Sequence, residues 1–444
     1  MFTQGIVIDL LRRRPEGEWE IALVDIEPEI LAATERMVRR YLLAADTPVS
    51  VSATTDRRQA LPGATVVTCT IGVGGRRAWE LDVFIPRKHG IFQPVGDSVM
   101  PGGISRAMRM IPQMVEIARD VERLCPNAWF FNYGNPMTAI LRALYKVTKT
   151  HPLGLCIGVD ETLRYLASFA EIPYDQVTAT WAGVNHLTWI LDLRVGGEDA
   201  WPMMRRKAAL QRQGKVDYNQ LGRMFWEAGF KPPKVQSVAD APFSWDLLEE
   251  FGAFPAPLDR HVTEFFPERF PEGRYWGKTL GMDAYSFEAC IAYGEKIYSE
   301  TLELGKGEEP IGTEHLRSTT GEHMQLFEIL DSIRYDRRRW YSVNVPNAGS
   351  IRDWPVDAVV ELPATATAGG LVALPVGELP ASIRAVILRR LAAVEATVEA
   401  ALTGKPKLMT EAMILDGGVS SYGVATKLTD ELLRAQAVHL PQFG

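Results

Sequence analysis

Long apolar runs, paired cysteines and surplus positive charge are all scarce in this chain. No stretch approaches the roughly 18 consecutive apolar residues of a membrane-spanning helix, and no charged-then-apolar leader opens the sequence, so no membrane partner is expected. Four cysteines among 444 residues (Cys69, Cys125, Cys156 and Cys290) are too dispersed for a disulfide framework. A reducing, cytoplasmic setting is the expectation. The formal net charge is −7, and basic clusters such as Arg12–Arg14 and Arg337–Arg339 are short, in the manner of solvated helix ends. A nucleic-acid partner, which calls for a basic face, is therefore not expected.

What is present is an ordinary enzyme composition, with 46% hydrophobic and 23% charged residues in a length that accommodates two domains or one enlarged α/β unit. Up to about residue 160, apolar runs alternate with helical periodicity. The pattern predicts strands at Ile21–Val24, Val49–Ala53, Thr65–Thr70, Trp129–Asn132 and Gly154–Val159, with helices over 3–13, 28–43, 103–124 and 136–148. Such alternation implies a parallel sheet covered on both faces, with ligands beyond the carboxyl ends of its strands. Further on, long helices are predicted over 280–304, 314–332 and 381–403, with a loop and strand in 364–374. The expected division is 1–160 and 161–444.

Several stretches fall where chemistry is expected. Asp25 closes the first predicted strand, the position from which a carboxylate holds the ribose of a dinucleotide. The turn "TIGVGG" (70–75) follows another strand, and its glycines allow close approach of backbone to a ligand or simply make a tight turn. Asp97 lies in a glycine-rich loop ahead of an amphipathic helix, whose Met108, Ile111, Met114, Val115 and Ile117 read as core. Asn132 and Asn135 end a buried strand, and Asn-Pro favours a turn whose amide can face a ligand. Cys156 and His186 each stand in an apolar setting: two core residues, or a thiolate and an imidazole for a divalent metal. The segment "FGAFPAPLDRHVTEFFP" (251–267) concentrates Asp259, Arg260, His261 and Glu264, as a surface salt-bridge cluster or a catalytic loop would.

In order along the chain, "VDIEPE", "IPRKHGIFQPVGD", "PGGISRAMR", "PNAWFFNYGNPM", "GLCIGV", "AGVNHLTW" and "NVPNAGSIRDWPVDAVVELPA" resemble the family 4 glycoside hydrolases, the NAD- and metal-dependent glycosidases. The resemblance implies a Rossmann-type, doubly wound parallel sheet with a second α/β domain of the lactate/malate-dehydrogenase C-terminal kind. It implies NAD and a divalent ion, typically manganese, and a route other than the usual two-carboxylate hydrolysis. On that route the sugar is oxidised at C3, loses its C2 proton, eliminates the aglycone, takes up water and is reduced again. Carried onto this chain, Cys156 and His186 would hold the metal. Asn135 would orient the sugar, helped by Arg260 and His261. Asp97 would act in the active site, while Asp25, Ile71, Gly72, Val73, Gly74 and Asn132 would hold the cofactor. Asp259 stands where family members place a tyrosine or aspartate base. Ile157 follows the cysteine, where phosphosugar-specific members carry Asp or Asn, so an unphosphorylated α-glucoside, α-galactoside or uronide is expected. A homo-oligomer, dimer or tetramer, is expected as well.

Members of that family begin with a strand and a turn close to G-A-G-S, whereas this chain starts at "MFTQGIVIDLL", where that turn ends. The expectation is a missing first strand and pyrophosphate cradle, apolar exposure on the neighbouring strands, and weakened NAD binding. Two other readings accompany the glycosidase: an NAD-dependent 2-hydroxy acid dehydrogenase, and an inactive sugar-binding relic.

Overall fold

Strand and helix alternate through the first third of the chain much as the residue pattern requires. The computed structural model describes residues 2–13, 17–214, 221–224, 236–312 and 323–444. Five strands carry the parallel part: β1 (Glu20–Val24), β2 (Ser50–Thr54), β3 (Val66–Cys69), β4 (Trp129–Asn132) and β5 (Leu153–Gly154). β4 is aromatic, a composition that suits pleated backbone. Its Phe130 packs in one core and Phe131 in another, because successive side chains leave a strand on opposite faces. The helix Met100–Leu124 carries Pro101 in its first turn, where a missing N–H costs nothing, and buries Ile104, Met108, Ile111, Met114 and Val115 at helical spacing.

The remaining strands are antiparallel. β6 (Val177–Val184) and β7 (Leu187–Val195) form a hairpin, extended by β8 (Glu198–Asp199) and β9 (Phe254–Ala256). β10 (Arg274–Tyr275) and β11 (Lys278–Thr279) make a separate ribbon, and β12 (Trp340–Pro346), β13 (Val359–Thr367) and β14 (Gly370–Ala373) complete the set. The main sheet runs β3-β4-β5-β12-β13-β6-β7-β8, so β12 and β13 splice the two halves together. The joints are narrow, with Asn344 opposite Gly154 and Glu361 opposite Gly183. The division expected at 160/161 falls inside the helix Gly158–Ala170, and the sheet runs across it. One face is covered by Phe2–Arg13, Pro28–Ala45 and Met324–Arg334. The other is covered by Met100–Leu124 and Met137–Val147 together with the C-terminal helices Ala381–Thr403, Pro406–Asp416 and Tyr422–Ala435.

Among the described residues the first element is the helix Phe2–Arg13, and β1 with β2 stands apart as a two-stranded parallel sheet. Strands of a doubly covered parallel sheet are normally buried. Here Val24 at the end of β1 is 42% exposed, and Thr68 of β3 is exposed too. The strand expected over Gly154–Val159 stops at Gly154, and a helix begins at Gly158, where a Cβ would lie 3.2 Å from the ring of Pro257. An apolar run this short does not distinguish a strand from the start of a buried helix. The helix expected over 280–304 begins at Phe287, and that over 381–403 is found in full. Of the one expected over 314–332, residues 314–322 lie outside the described residues, and the rest belongs to Met324–Arg334. Segment 364–374 forms the β13–β14 hairpin.

Candidate active site

Two glycines admit the loop that carries Asp97. A Cβ on Gly103 would lie 2.3 Å from the Ser98 carbonyl carbon, and one on Gly102 would lie 2.9 Å from the Gly96 oxygen. The loop therefore runs in direct contact with the first turn of the helix Met100–Leu124. Glu264 fastens the loop from the far side, its Oε1 accepting the N–H groups of Val95 at 2.7 Å and Gly96 at 2.8 Å. Burial pushes the Glu264 carboxyl up to about 8, against the lowering effect of those two N–H groups. Asp97 then accepts hydrogen bonds from Ser98 Oγ at 2.8 Å and from Asn135 Nδ2 at 3.0 Å.

His186 reaches the same place from the tip of the β6–β7 hairpin. Val184 pairs with Leu187, so Asn185 and His186 are the whole turn, and His186 takes the left-handed conformation at φ 67°. A non-glycine residue held there stores strain of the kind that gathers at functional sites. Its Nδ1 lies 2.9 Å from Ser98 Oγ and 3.8 Å from Asp97 Oδ1. Ser98 has a single hydroxyl proton, and the charged carboxylate is its stronger acceptor. On that assignment His186 Nδ1–H donates to Ser98, which leaves Nε2 with its lone pair. His261 lies beside it, with ring centroids 4.0 Å apart and the ring planes tilted by 49°.

Asp97, His186 and His261 each offer one ligand atom within 4.8 Å of the others. Burial lowers the pKa of His186, with Asp97 opposing and Arg260 reinforcing the shift. Burial, His186 and Arg260 hold His261 well below the ordinary histidine value. Two neutral imidazoles and a carboxylate are a donor set for a divalent transition ion, and neutral imidazole is the form that binds metal. A small cavity beside the group is lined in part by Ser98, Pro136, Thr138 and Asn185. Asn135 Oδ1 is buried at this site without a hydrogen-bond partner, while Arg106 Nε donates to the Asn135 carbonyl at 3.0 Å.

Comparison with known proteins places most of the chain in one family. The model of the family 4 glycosyl hydrolases matches residues 1–171, and that of the family 4 glycosyl hydrolase C-terminal domain matches 181–419. An α-galacturonidase of Thermoanaerobacterium saccharolyticum is 30% identical over 409 residues, covering 84% of this chain and 80% of its own. The chain belongs to family 4 of the glycosyl hydrolases. An α-glucosidase of Erwinia rhapontici is 29% identical over 453 residues, covering 98% of this chain and 95% of its own. A 6-phospho-α-glucosidase from gut microorganisms, solved with NAD and Mn2+, shares the fold with a TM-score of 0.82 at 18% identity, covering 100% of this chain and 97% of that one. The expected glycosidase on a Rossmann-type fold stands, and the hydroxy-acid dehydrogenase reading falls.

Within this family 4 chain the expected residues fall into three groups. Asp97, Asn135, His186 and His261 converge, and Arg260 is near enough for its charge to bear on both histidines. Ile71, Gly72, Val73 and Gly74 form the turn from β3 into the helix Gly75–Lys88, and Asp25 is exposed at the carboxyl end of β1, its Oδ1 accepting the Glu27 N–H. The others have different surroundings. Cys156 is outside the three-residue group, its Sγ accepting the Gly158 N–H at 3.4 Å as the helix Gly158–Ala170 begins.

Asn132, expected at the cofactor, ends β4. It is fully buried, and its amide donates to the Gly134 carbonyl and accepts the Gly134 N–H, which shapes the turn. Asp259, expected as the base, is fully buried too. Its carboxylate accepts from the N–H groups of Phe243 and Ser244, Ser244 Oγ and Tyr275 Oη, and so holds the first turn of the helix Pro242–Phe251. Sequence reasoning missed Ser98 and did not assign Glu264 a role. Ser98 adjoins Asp97, and Glu264 follows His261 by one helical turn, which was the available signal.

Proposed function

We propose that the chain hydrolyses an unphosphorylated α-glycoside of a hexuronic acid, with NAD and a divalent ion such as manganese as cofactors. The observation that carries the choice of sugar is the Arg260 guanidinium, whose charge bears on His186, His261 and Glu264 and so stands beside the centre. A fixed guanidinium there suits a sugar carboxylate, which it can hold by charge-assisted hydrogen bonds. The α-galacturonidase relative supports this reading. A neutral α-glucoside is the second reading, supported by the α-glucosidase relative.

The residues present fit both cofactors. Asp97, His186 and His261 supply one oxygen and two nitrogens from three separate segments, a set that would hold a divalent ion. Asp25 and the Ile71–Gly74 turn lie at the carboxyl ends of parallel strands, where a dinucleotide would rest. Bound there, NAD would exchange hydride with the sugar and the ion would withdraw charge from neighbouring oxygens. Asn135 is tied to Asp97 through Nδ2 and keeps Oδ1 for a sugar hydroxyl. Ser98 sets the orientation of His186, and Glu264 sets the loop that presents Asp97. The proposal includes a reducing, cytoplasmic setting, supported by four cysteines that form no disulfide with one another, and self-association as a dimer or tetramer, as the resemblance implies.

The test is nitrophenol release from the α-galacturonide, α-glucoside, α-galactoside and 6-phospho-α-glucoside, with Mn2+ and NAD+, and with chelator as control. The α-galacturonide should be the best substrate and its cleavage should stop on chelation. In Arg260→Gln the KM for the uronide should rise about tenfold while the neutral glycosides change little. Preference for the phosphorylated or the neutral sugar would overturn the assignment.

A further inference from the structure

The end of the chain packs on the glycine turn Ile71–Gly74 by two routes, from residues beyond 419, where the family match ends. The first route runs through buried charge. After the helix Tyr422–Ala435, Gln436 turns inward, and its Nε2 donates to Asp82 Oδ1 at 2.5 Å, with the Ala78 carbonyl at 3.2 Å and Ser105 Oγ at 3.3 Å also in reach. Asp82 is bound to Arg109 by two hydrogen bonds of 2.9 and 2.5 Å, and the side chains are 0% and 1% exposed. Arg109 Nε then donates to the Val73 carbonyl at 2.8 Å. The second route is packing: a Cβ on Gly74 would fall 2.8 Å from His439 Nε2, so the imidazole lies directly against the turn. Gln442 Nε2 pins the same tail to the Met108 carbonyl at 2.7 Å.

We infer that the C-terminal segment is a clamp on the cofactor turn, with Gln436 and His439 as positioning residues for NAD. Gln436 restrains the Asp82–Arg109 pair, the pair sets the Val73 carbonyl, and His439 backs Gly74. A buried pair has little freedom to rearrange, so a change at Gln436 reaches the turn. The inference rests on the reading of Ile71–Gly74 as the NAD turn.

The test measures NAD+ and Mn2+ dissociation constants separately for the full chain, His439→Ala and Gln436→Ala. Both variants should bind NAD+ about threefold to tenfold more weakly, the scale of one net hydrogen bond or its packing equivalent, with Mn2+ affinity unchanged. His439 is only half-buried, so its variant carries the test if Gln436→Ala does not fold. NAD+ affinity equal to that of the unmodified chain overturns the clamp, as does a parallel loss of Mn2+ affinity, which would signal general disorder. Failure of the unmodified chain to bind NAD+ overturns the cofactor reading of the turn and the clamp with it.

Discussion

Asp259 and Glu264 belong to one short segment and both are nearly closed to solvent, yet their hydrogen bonds give them separate tasks. Asp259 receives four donors and caps a helix, whereas Glu264 receives two backbone N–H groups and holds the loop of Asp97. Burial raises both carboxyls, Asp259 from 3.8 to about 6 and Glu264 from 4.5 to about 8. The sign of the consequence follows from proton binding. Between 4.5 and about 8 the folded chain keeps a proton on Glu264 that the unfolded chain has released. Its contribution is therefore complete below 4.5 and is lost as pH rises through about 8. The Tm of the metal-free protein should fall between pH 6 and 8, at up to about 1.4 kcal/mol of stability per pH unit. Glu264→Gln keeps the acceptor oxygen and should flatten that fall; parallel Tm curves for the two proteins would refute the assignment. None of this was legible in "DRHVTEF", where the family's base position made Asp259 the candidate. Which carboxylate faces a cavity depends on which donors the fold brings to it.

The elements that build the centre were partly legible. The helix Met100–Leu124 follows from its apolar spacing, and the glycine-rich loop ahead of it was legible as a loop. The close approach between them, 2.3 Å from a Cβ on Gly103 to the Ser98 carbonyl carbon, needs the loop in place. Gly103→Ala should displace Ser98 and Asp97, costing about 1–3 kcal/mol as an overpacked site does. Catalysis should fall further than stability suggests, on the order of 100-fold for a displacement near 1 Å. Chemical denaturation beside kcat measures both, and an alanine variant with unchanged kcat would show that the loop is not fixed by this contact. The hairpin carrying His186 was read only as an apolar run, because the left-handed turn that lifts the imidazole out of the sheet leaves no periodic trace.

For the molecule as a whole, the decisive feature is that β12 and β13 pair with strands on both sides of the expected division. The core on one face joins the helices of the first 150 residues to those after residue 381. Halves that share a sheet and a core should unfold together, although a chain of this length often does not. Calorimetry should show one transition with matching calorimetric and van't Hoff enthalpies. Two resolved transitions would show that the halves unfold as independent units.

Local pattern determined the alternation of β1 to β5 with helices, the character of the ligand face, and the family motifs, because periodicity and turn chemistry act between near neighbours in the chain. The meeting of Asp97, His186 and His261, the sequestration of Asp259, and the packing of His439 against Gly74 were decided by tertiary structure alone. Those contacts join residues far apart in sequence, and their geometry depends on hydrogen-bond partners and packing distances that exist only once the sheet has closed.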